Sequence, residues 1–236
     1  MTMPFYVAPE QVMKDRAEYA QKGISRGRSL VAAVCSDGIV IAAENPSRTL
    51  HKISEIHDRI AFAGVGKYNE FDQLRVAGVR HADVRGYTYS RDDVDGRSLA
   101  NLYAQYLGQV FTHEMKPLEV EILVAELGGD NAPSELYHIS YDGTVGDEDR
   151  LVVLGGDASV IRDRMEQAFI ENWTIAQALP AAVKSLQGPD RTLEAGDLEI
   201  AMLDPSLLRR KFRRAKESEI TTAIASIPKK EVESSE

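Results

Sequence analysis

The chain has 236 residues, 43% of them hydrophobic, with 28 basic against 37 acidic side chains and a formal net charge of −9. That is enough chain for a sizeable core and too apolar for global disorder, while the acidic balance argues against binding nucleic acid by neutralising phosphates. Apolar runs such as Leu30–Cys35 fall far short of a membrane span, and the single cysteine, Cys35, excludes an intrachain disulfide or a multi-thiolate zinc site.

No charged, apolar and small-residue signal pattern opens the chain, so a cytoplasmic location is expected. The first eight residues, Met1, Thr2, Met3, Pro4, Phe5, Tyr6, Val7 and Ala8, are apolar without a period. Pro9 suits a first helical turn, and Met13, Ala17, Ala20 and Ile24 follow at helical spacing, which predicts a helix over 9–22 ended by Gly23. Two apolar runs, LVAAVC and IVIAAE, flank Ser36-Asp37-Gly38 and predict a hairpin buried on both faces. After a polar connection over 45–58 comes a strand over 59–64. Phe71, Leu74, Gly78 and Ala82 then mark one helix, and Leu99, Leu102, Tyr103, Tyr106, Leu107, Val110 and Phe111 a second, with a charged turn region, GYTYSRDDVDG, between them.

The second half repeats the order. Strands are predicted over 119–127, 135–140 and 151–154, separated by turn residues. A helix through Ile161, Met165 and Phe169 precedes one through Ile175, Leu179, Val183 and Leu186, for which Thr174 and Gln177 form a capping box. Pro180 demands either a kink there or a start nearer Leu179. A last strand over 198–203 leads to the basic stretch RRKFRRAK and a polar tail expected to be disordered. Strands in runs, followed by helix pairs, do not fit a doubly wound parallel sheet. They fit two stacked sheets with helices on the outer faces, an α+β, four-layer αββα sandwich with an extra N-terminal helix. No linker divides it, so residues 9–226 are expected to be one domain, with 1–8 and 227–236 as terminal segments.

Local motifs add little chemistry. Gly23-Ile24-Ser25-Arg26-Gly27 matches the nucleophile elbow, but that elbow needs a strand before the serine and a helix after it, the reverse of the order here. Gly64-Val65-Gly66-Lys67 lacks the earlier glycine and following Ser or Thr of a phosphate loop, so it reads as a tight strand-to-helix turn. The histidines (His51, His57, His81, His113 and His138) have no ligand spacing, so no metal is expected, and no cofactor. His113-Glu114 reads as a helix C-terminus, and Cys35 as a small buried hydrophobe. The six basic residues from Arg209 to Lys216 are either a solvated strand edge or a dock for an acidic partner.

The sandwich order is that of the N-terminal-nucleophile hydrolases, and the chain resembles a proteasome core (20S) subunit of the alpha type, actinobacterial kind. The resemblance runs from about Pro9 to Leu203. It rests on Glu18-Tyr19-Ala20 before Gly27, then LVAAVCSDGIVIAAEN, HKISEIHDRIAFAGVGKYNEFD, ELYHISYDGTVG and LVVLGGDASVIRD in order. The start departs from archaeal and eukaryotic alpha chains, lacking their Tyr-Asp pair and Ser-Pro-Asp-Gly turn. In a catalytic beta-type chain the nucleophile is a threonine whose own α-amine activates it, so it must be the first residue of the mature chain. Here Gly27, Arg28 and Ser29 resemble that start, with Arg28 at the threonine position. Glu44 resembles the acidic neighbour and Lys52 the lysine that tunes the nucleophile. No catalytic residue and no peptidase activity are therefore expected of the isolated chain, although the assembled complex would be a threonine-type endopeptidase.

The resemblance further implies heptameric alpha rings capping beta rings, with Met1–Ala8 plugging the axial pore and unfolded proteins as substrates; a frayed terminus is the bland alternative. Lys52 would pair with the C-terminal carboxylate of an ATPase activator tail in a pocket between neighbours, with Arg26 and Glu18 as weaker supports. The rival reading is a catalytic hydrolase or beta-type threonine peptidase with a removable propeptide. No nucleic acid or membrane partner is expected.

Overall fold

A computed structural model describes residues 8–129 and 132–227. Two five-stranded antiparallel sheets form the body. The first is built from β1 (Leu30–Cys35), β2 (Gly38–Glu44), β8 (Leu151–Leu154), β9 (Leu198–Leu203) and β10 (Phe212–Arg214), in the order β10-β9-β2-β1-β8. The second is built from β3 (Ile53–His57), β4 (Ile60–Gly66), β5 (Val120–Glu126), β6 (Glu135–Ile139) and β7 (Val145–Glu148), in chain order. Among the described residues six helices accompany them: α1 (Pro9–Ser25), α2 (Tyr68–Thr88), α3 (Gly96–His113), α4 (Ala158–Ala168), α5 (Ile175–Gln187) and α6 (Glu217–Ala225).

The apolar runs explain the layering, because alternate residues of a strand point to opposite faces. From β1, Leu30 and Ala32 enter a core shared with Ala61, Ala63 and Leu123 of the other sheet, so that core lies between the sheets. Val31 and Ala33 instead pack against Ile161, Met165, Leu179 and Val183 of α4 and α5. On the far side, Ile60, Phe62, Ile122 and Val124 meet Phe71 and Leu74 of α2 and Leu99, Tyr103 and Leu107 of α3. Three apolar layers thus separate four structural layers, and the expected αββα sandwich with an N-terminal helix is what forms. The Ser36-Asp37-Gly38 hairpin pairs Cys35 with Gly38, whose φ of +138° and close approach to the Leu203 carbonyl leave no room for a Cβ.

Several boundaries differ from the sequence reading. Helix α1 does not stop at Gly23 but runs to Ser25, because Ile24 is buried between the sheets and the packing it gains outweighs the glycine penalty. Strand β3 lies within the supposed polar connection, β7 follows the Tyr-Asp-Gly turn, β10 falls inside the basic stretch, and α6 forms where no element is predicted, while the polar tail over 228–236 lies outside the described residues. Helix α2 continues through Thr88 into the charged turn region, where Asp95 then caps α3 by accepting from the Ser98 N–H at 2.7 Å. Helix α5 begins at Ile175 and passes through Pro180 unbroken; Gln177 Oε1 accepts from the Thr174 N–H at 2.9 Å, as the capping box requires.

The basic stretch is paired with acids. Arg210 bridges to Glu55, Arg213 to Asp204 and Glu219, and Arg214 to Glu199, as befits a charged edge strand. The Gly64–Lys67 segment is a strand-to-helix turn with Gly66 at φ +97°, and the Gly23–Gly27 segment has a helix before its serine, so neither decoy motif has its required context. Cys35 is buried, and burial pushes its thiol up to about 12. Among the described residues no helix is long and apolar enough to cross a membrane, and no cluster of three His, Cys, Asp or Glu residues is placed to hold a metal.

Candidate functional site

The chemistry-bearing positions converge where α1 hands over to β1. Gly27 closes the end of the helix, its N–H bonding the Ile24 carbonyl at 2.8 Å, and Arg28 and Ser29 lead into the strand. Gly155 and Gly156, which follow β8, have φ of +71° and +48°. A Cβ on Gly156 would lie 2.3 Å from Ser29 Oγ, so the double glycine lets that loop close over the start of β1. Ser29 is itself buried and donates to the Gly155 carbonyl at 3.2 Å.

Glu44 ends β2 and is buried, an expensive place for a carboxylate unless it is paired and hydrogen-bonded. It is paired twice. Arg28 donates Nη1 to Oε1, and Arg191 contributes Nη1 and Nη2 to Oε1 and Oε2, both at 3.2 Å. Arg191 is tied in turn to the Leu186 carbonyl at 2.8 Å. This fork geometry suits a guanidinium and leaves Glu44 saturated by cations.

Lys52 directly precedes β3, and its Nζ donates to the Arg28 carbonyl at 2.7 Å. The fold therefore brings together Arg28, Glu44 and Lys52, the three positions that resemble the catalytic neighbourhood of a beta-type chain. The half-buried Lys52 ammonium is destabilised by desolvation, partly offset by the fields of Glu44 and Glu199, and its pKa falls to about 8. Among the described residues Nζ forms no ion pair, so donors remain for a further acceptor.

As a peptidase centre the arrangement is incomplete. A terminal-amine nucleophile needs a free α-amine at Arg28, but Gly27 and α1 continue the chain upstream. Arg28 carries no hydroxyl, and its guanidinium is committed to Glu44. The Ser29 hydroxyl is bonded to a carbonyl and has no neighbouring base among the described hydrogen bonds. Helix α1 adds a steric block: Ala20 and Ile24 are inserted into the inter-sheet core, and Arg16 and Gln21 fasten the helix to the Phe111 carbonyl at 2.6 Å and the Tyr141 hydroxyl at 3.1 Å.

The remaining site residues are dispersed. Arg26, the exposed C-cap of α1, lines the same cleft of about 610 Å³ as Arg28, Glu44, Arg164 and Arg191. Glu18 is exposed on α1 and pairs with Lys14 at 3.9 Å, with no described contact to the cleft. Ala8 is the exposed N-cap position of α1, and Met1–Val7 lie outside the described residues. The sequence reading missed Arg191, Glu199 and Arg214, which complete the site. Arg191 stands 147 positions from Glu44, Glu199 147 from Lys52 and Arg214 161 from Ile53, beyond any local spacing rule.

Comparison with known proteins places these features. The family described as proteasome subunit matches residues 24–202. The chain is 60% identical to the proteasome subunit alpha of Acidimicrobium ferrooxidans over 228 residues, covering 97% of this chain and 98% of that one. It is 56% identical to the protein of the same name from Xylanimonas cellulosilytica, covering 91% and 92%, and 53% identical to that from Thermobifida fusca, covering 91% and 87%.

Proposed function

The chain belongs to the proteasome-subunit family as an alpha-type member, and from that premise we propose that it forms the outer heptameric rings of a core particle, gates substrate access to the chamber and docks an ATPase activator. It is a structural, non-catalytic subunit within a complex of the threonine-protease type, assembled with other proteasome subunits. Unfolded protein is the substrate of that complex, and the cytoplasm its compartment.

The observation that carries the docking role is the state of Lys52. A half-buried ammonium with one carbonyl acceptor and no ion pair among the described residues is an unfinished site, and a peptide α-carboxylate is a natural complement. Glu44 does not compete for it, being saturated by Arg28 and Arg191. Arg26, lining the adjoining cleft, is a further cation near this surface, and Glu18 supports it from two turns further up α1. The gate role falls to Met1–Ala8, an apolar segment that extends from the N-cap of α1 and would bury area against its six copies at the axis.

Both roles are tested on the assembled particle. Lys52→Ala should abolish activator-stimulated degradation while leaving rings intact, and undiminished stimulation would remove the docking assignment. Deleting residues 1–8 should raise basal peptide hydrolysis; no rise would leave those residues as a frayed terminus.

A further inference from the structure

We infer that Glu199 and Arg214, on the two strands at the far edge of the first sheet, are positioning residues that fix the backbone and the charge of Lys52 for carboxylate docking. The inference rests on the docking role proposed for Lys52. Strand β3 is the edge of its own sheet, with β4 on one side and, among the described residues, no strand on the other. Such an edge would leave backbone groups unpaired. Instead, side chains from the opposite sheet stand in for the absent neighbour. Glu199 of β9 accepts from the Lys52 N–H at 2.8 Å and from the Ile53 N–H at 3.2 Å. Arg214 of β10 donates to the Ile53 carbonyl at 2.7 Å and to Glu199 itself at 2.5 Å. The donor and acceptor of Ile53 are thus both satisfied by one ion pair, in the manner of a facing strand residue.

The loop leading to Lys52 is gathered by the same carboxylate. Asn45 Nδ2 donates to Glu199 and to the Leu50 carbonyl, each at 2.7 Å, and His51 Nδ1 lies 3.3 Å from Glu199. On the inner side, the Lys52 carbonyl accepts from the Gly64 N–H at 3.1 Å. Lys52 is therefore clamped between the two sheets, with only its side chain free to meet a ligand. Glu199 is buried, and these donors satisfy its carboxylate oxygens. Its negative charge, with that of Glu44 on β2, opposes the desolvation and the Arg28 charge that push the Lys52 ammonium toward neutrality, and His51 stands beside Glu199 on that side.

The test uses full-length chain assembled with its beta-type partner and a fluorescent peptide ending in a free α-carboxylate, with the C-terminal amide of the same peptide as control. Glu199→Gln should weaken binding of the carboxylate peptide about tenfold and lower by about one unit the pH at which binding starts to fail, leaving the amide peptide unchanged. Arg214→Lys, which retains the charge but cannot bridge Glu199 and the Ile53 carbonyl as a fork, should weaken binding about threefold with a smaller pH displacement. Glu199→Asp should recover part of the affinity lost in Glu199→Gln, since it restores the charge. A merely structural role would not move the pH onset. Wild-type affinity and pH onset in Glu199→Gln, or in Arg214→Lys should the former not assemble, would overturn the inference while Lys52→Ala still loses binding. Wild-type binding by Lys52→Ala would overturn the docking role itself.

Discussion

If Lys52 takes the proposed docking role, its depressed pKa makes carboxylate binding pH-dependent in a range where ordinary lysines are silent. A solvated lysine titrates near 10.4 and stays charged through pH 9. With its pKa lowered to about 8 by burial, Lys52 is charged at neutral pH and loses its proton as the pH rises through that value. By the usual titration law about nine-tenths of the chains carry the ammonium at pH 7 and about one-tenth at pH 9. A carboxylate binds the charged form preferentially and raises its pKa in the complex. The dissociation constant should therefore be flat below pH 7 and rise above pH 8, approaching tenfold per unit, until the pKa of the bound state is reached. Fluorescence polarisation of a labelled carboxylate-ended peptide on the assembled particle, from pH 6.5 to 9.5, measures this directly. Lys52→Arg supplies the decisive contrast, because a guanidinium does not deprotonate in this range and its profile should be flat. A wild-type profile that stays flat to pH 9.5, or a Lys52→Arg profile that keeps the wild-type onset, would refute the reasoning.

Two further expectations concern the scaffold. Gly78 of α2 packs beneath Tyr103 of α3 so closely that an added Cβ would lie 1.8 Å from the phenolic oxygen, which is buried and without a partner among the described residues. Gly78→Ala should cost about 1–3 kcal/mol in chemical denaturation, and Tyr103→Phe, which removes the unpaired hydroxyl, should be close to neutral alone and should relieve much of that loss in the double variant. Cys35, with its thiol pushed up to about 12, should resist alkylation in the native protein at pH 8 and react quickly after unfolding; rapid native labelling read by mass spectrometry would contradict its burial.

The apolar strands were legible because their composition exceeds what one buried face requires. LVAAVC and IVIAAE cannot be half-exposed, and two-sided burial implies layers on both faces. The missed strands lack that excess. Ile53–His57 carries Ser54 and Glu55 at an edge, Val145–Glu148 is largely polar, and Phe212–Arg214 is short and charged, so each depends on its neighbour's ladder and not on its own pattern. Helix α6, with Thr221 and Thr222 at its centre, has weak propensity and is held by Ile220 and Ala223 against the core under α5. At the site, Arg28, Glu44 and Lys52 were found through their resemblance to a catalytic neighbourhood, and the fold does bring them together. Arg191, Glu199 and Arg214 had no such guide. Glu199 and Arg214 reach Lys52 and Ile53 across the sandwich from the paired strands β9 and β10, and Arg191 reaches Glu44 from the loop after α5.

Co-expression with a beta-type subunit, followed by native mass and electron-microscopic symmetry of the purified particle, tests the central claim most directly. A sevenfold outer ring of chains that still carry α1 upstream of Gly27 is the predicted result. A chain that remains monomeric beside its partner, or that is recovered beginning at Arg28, would contradict it.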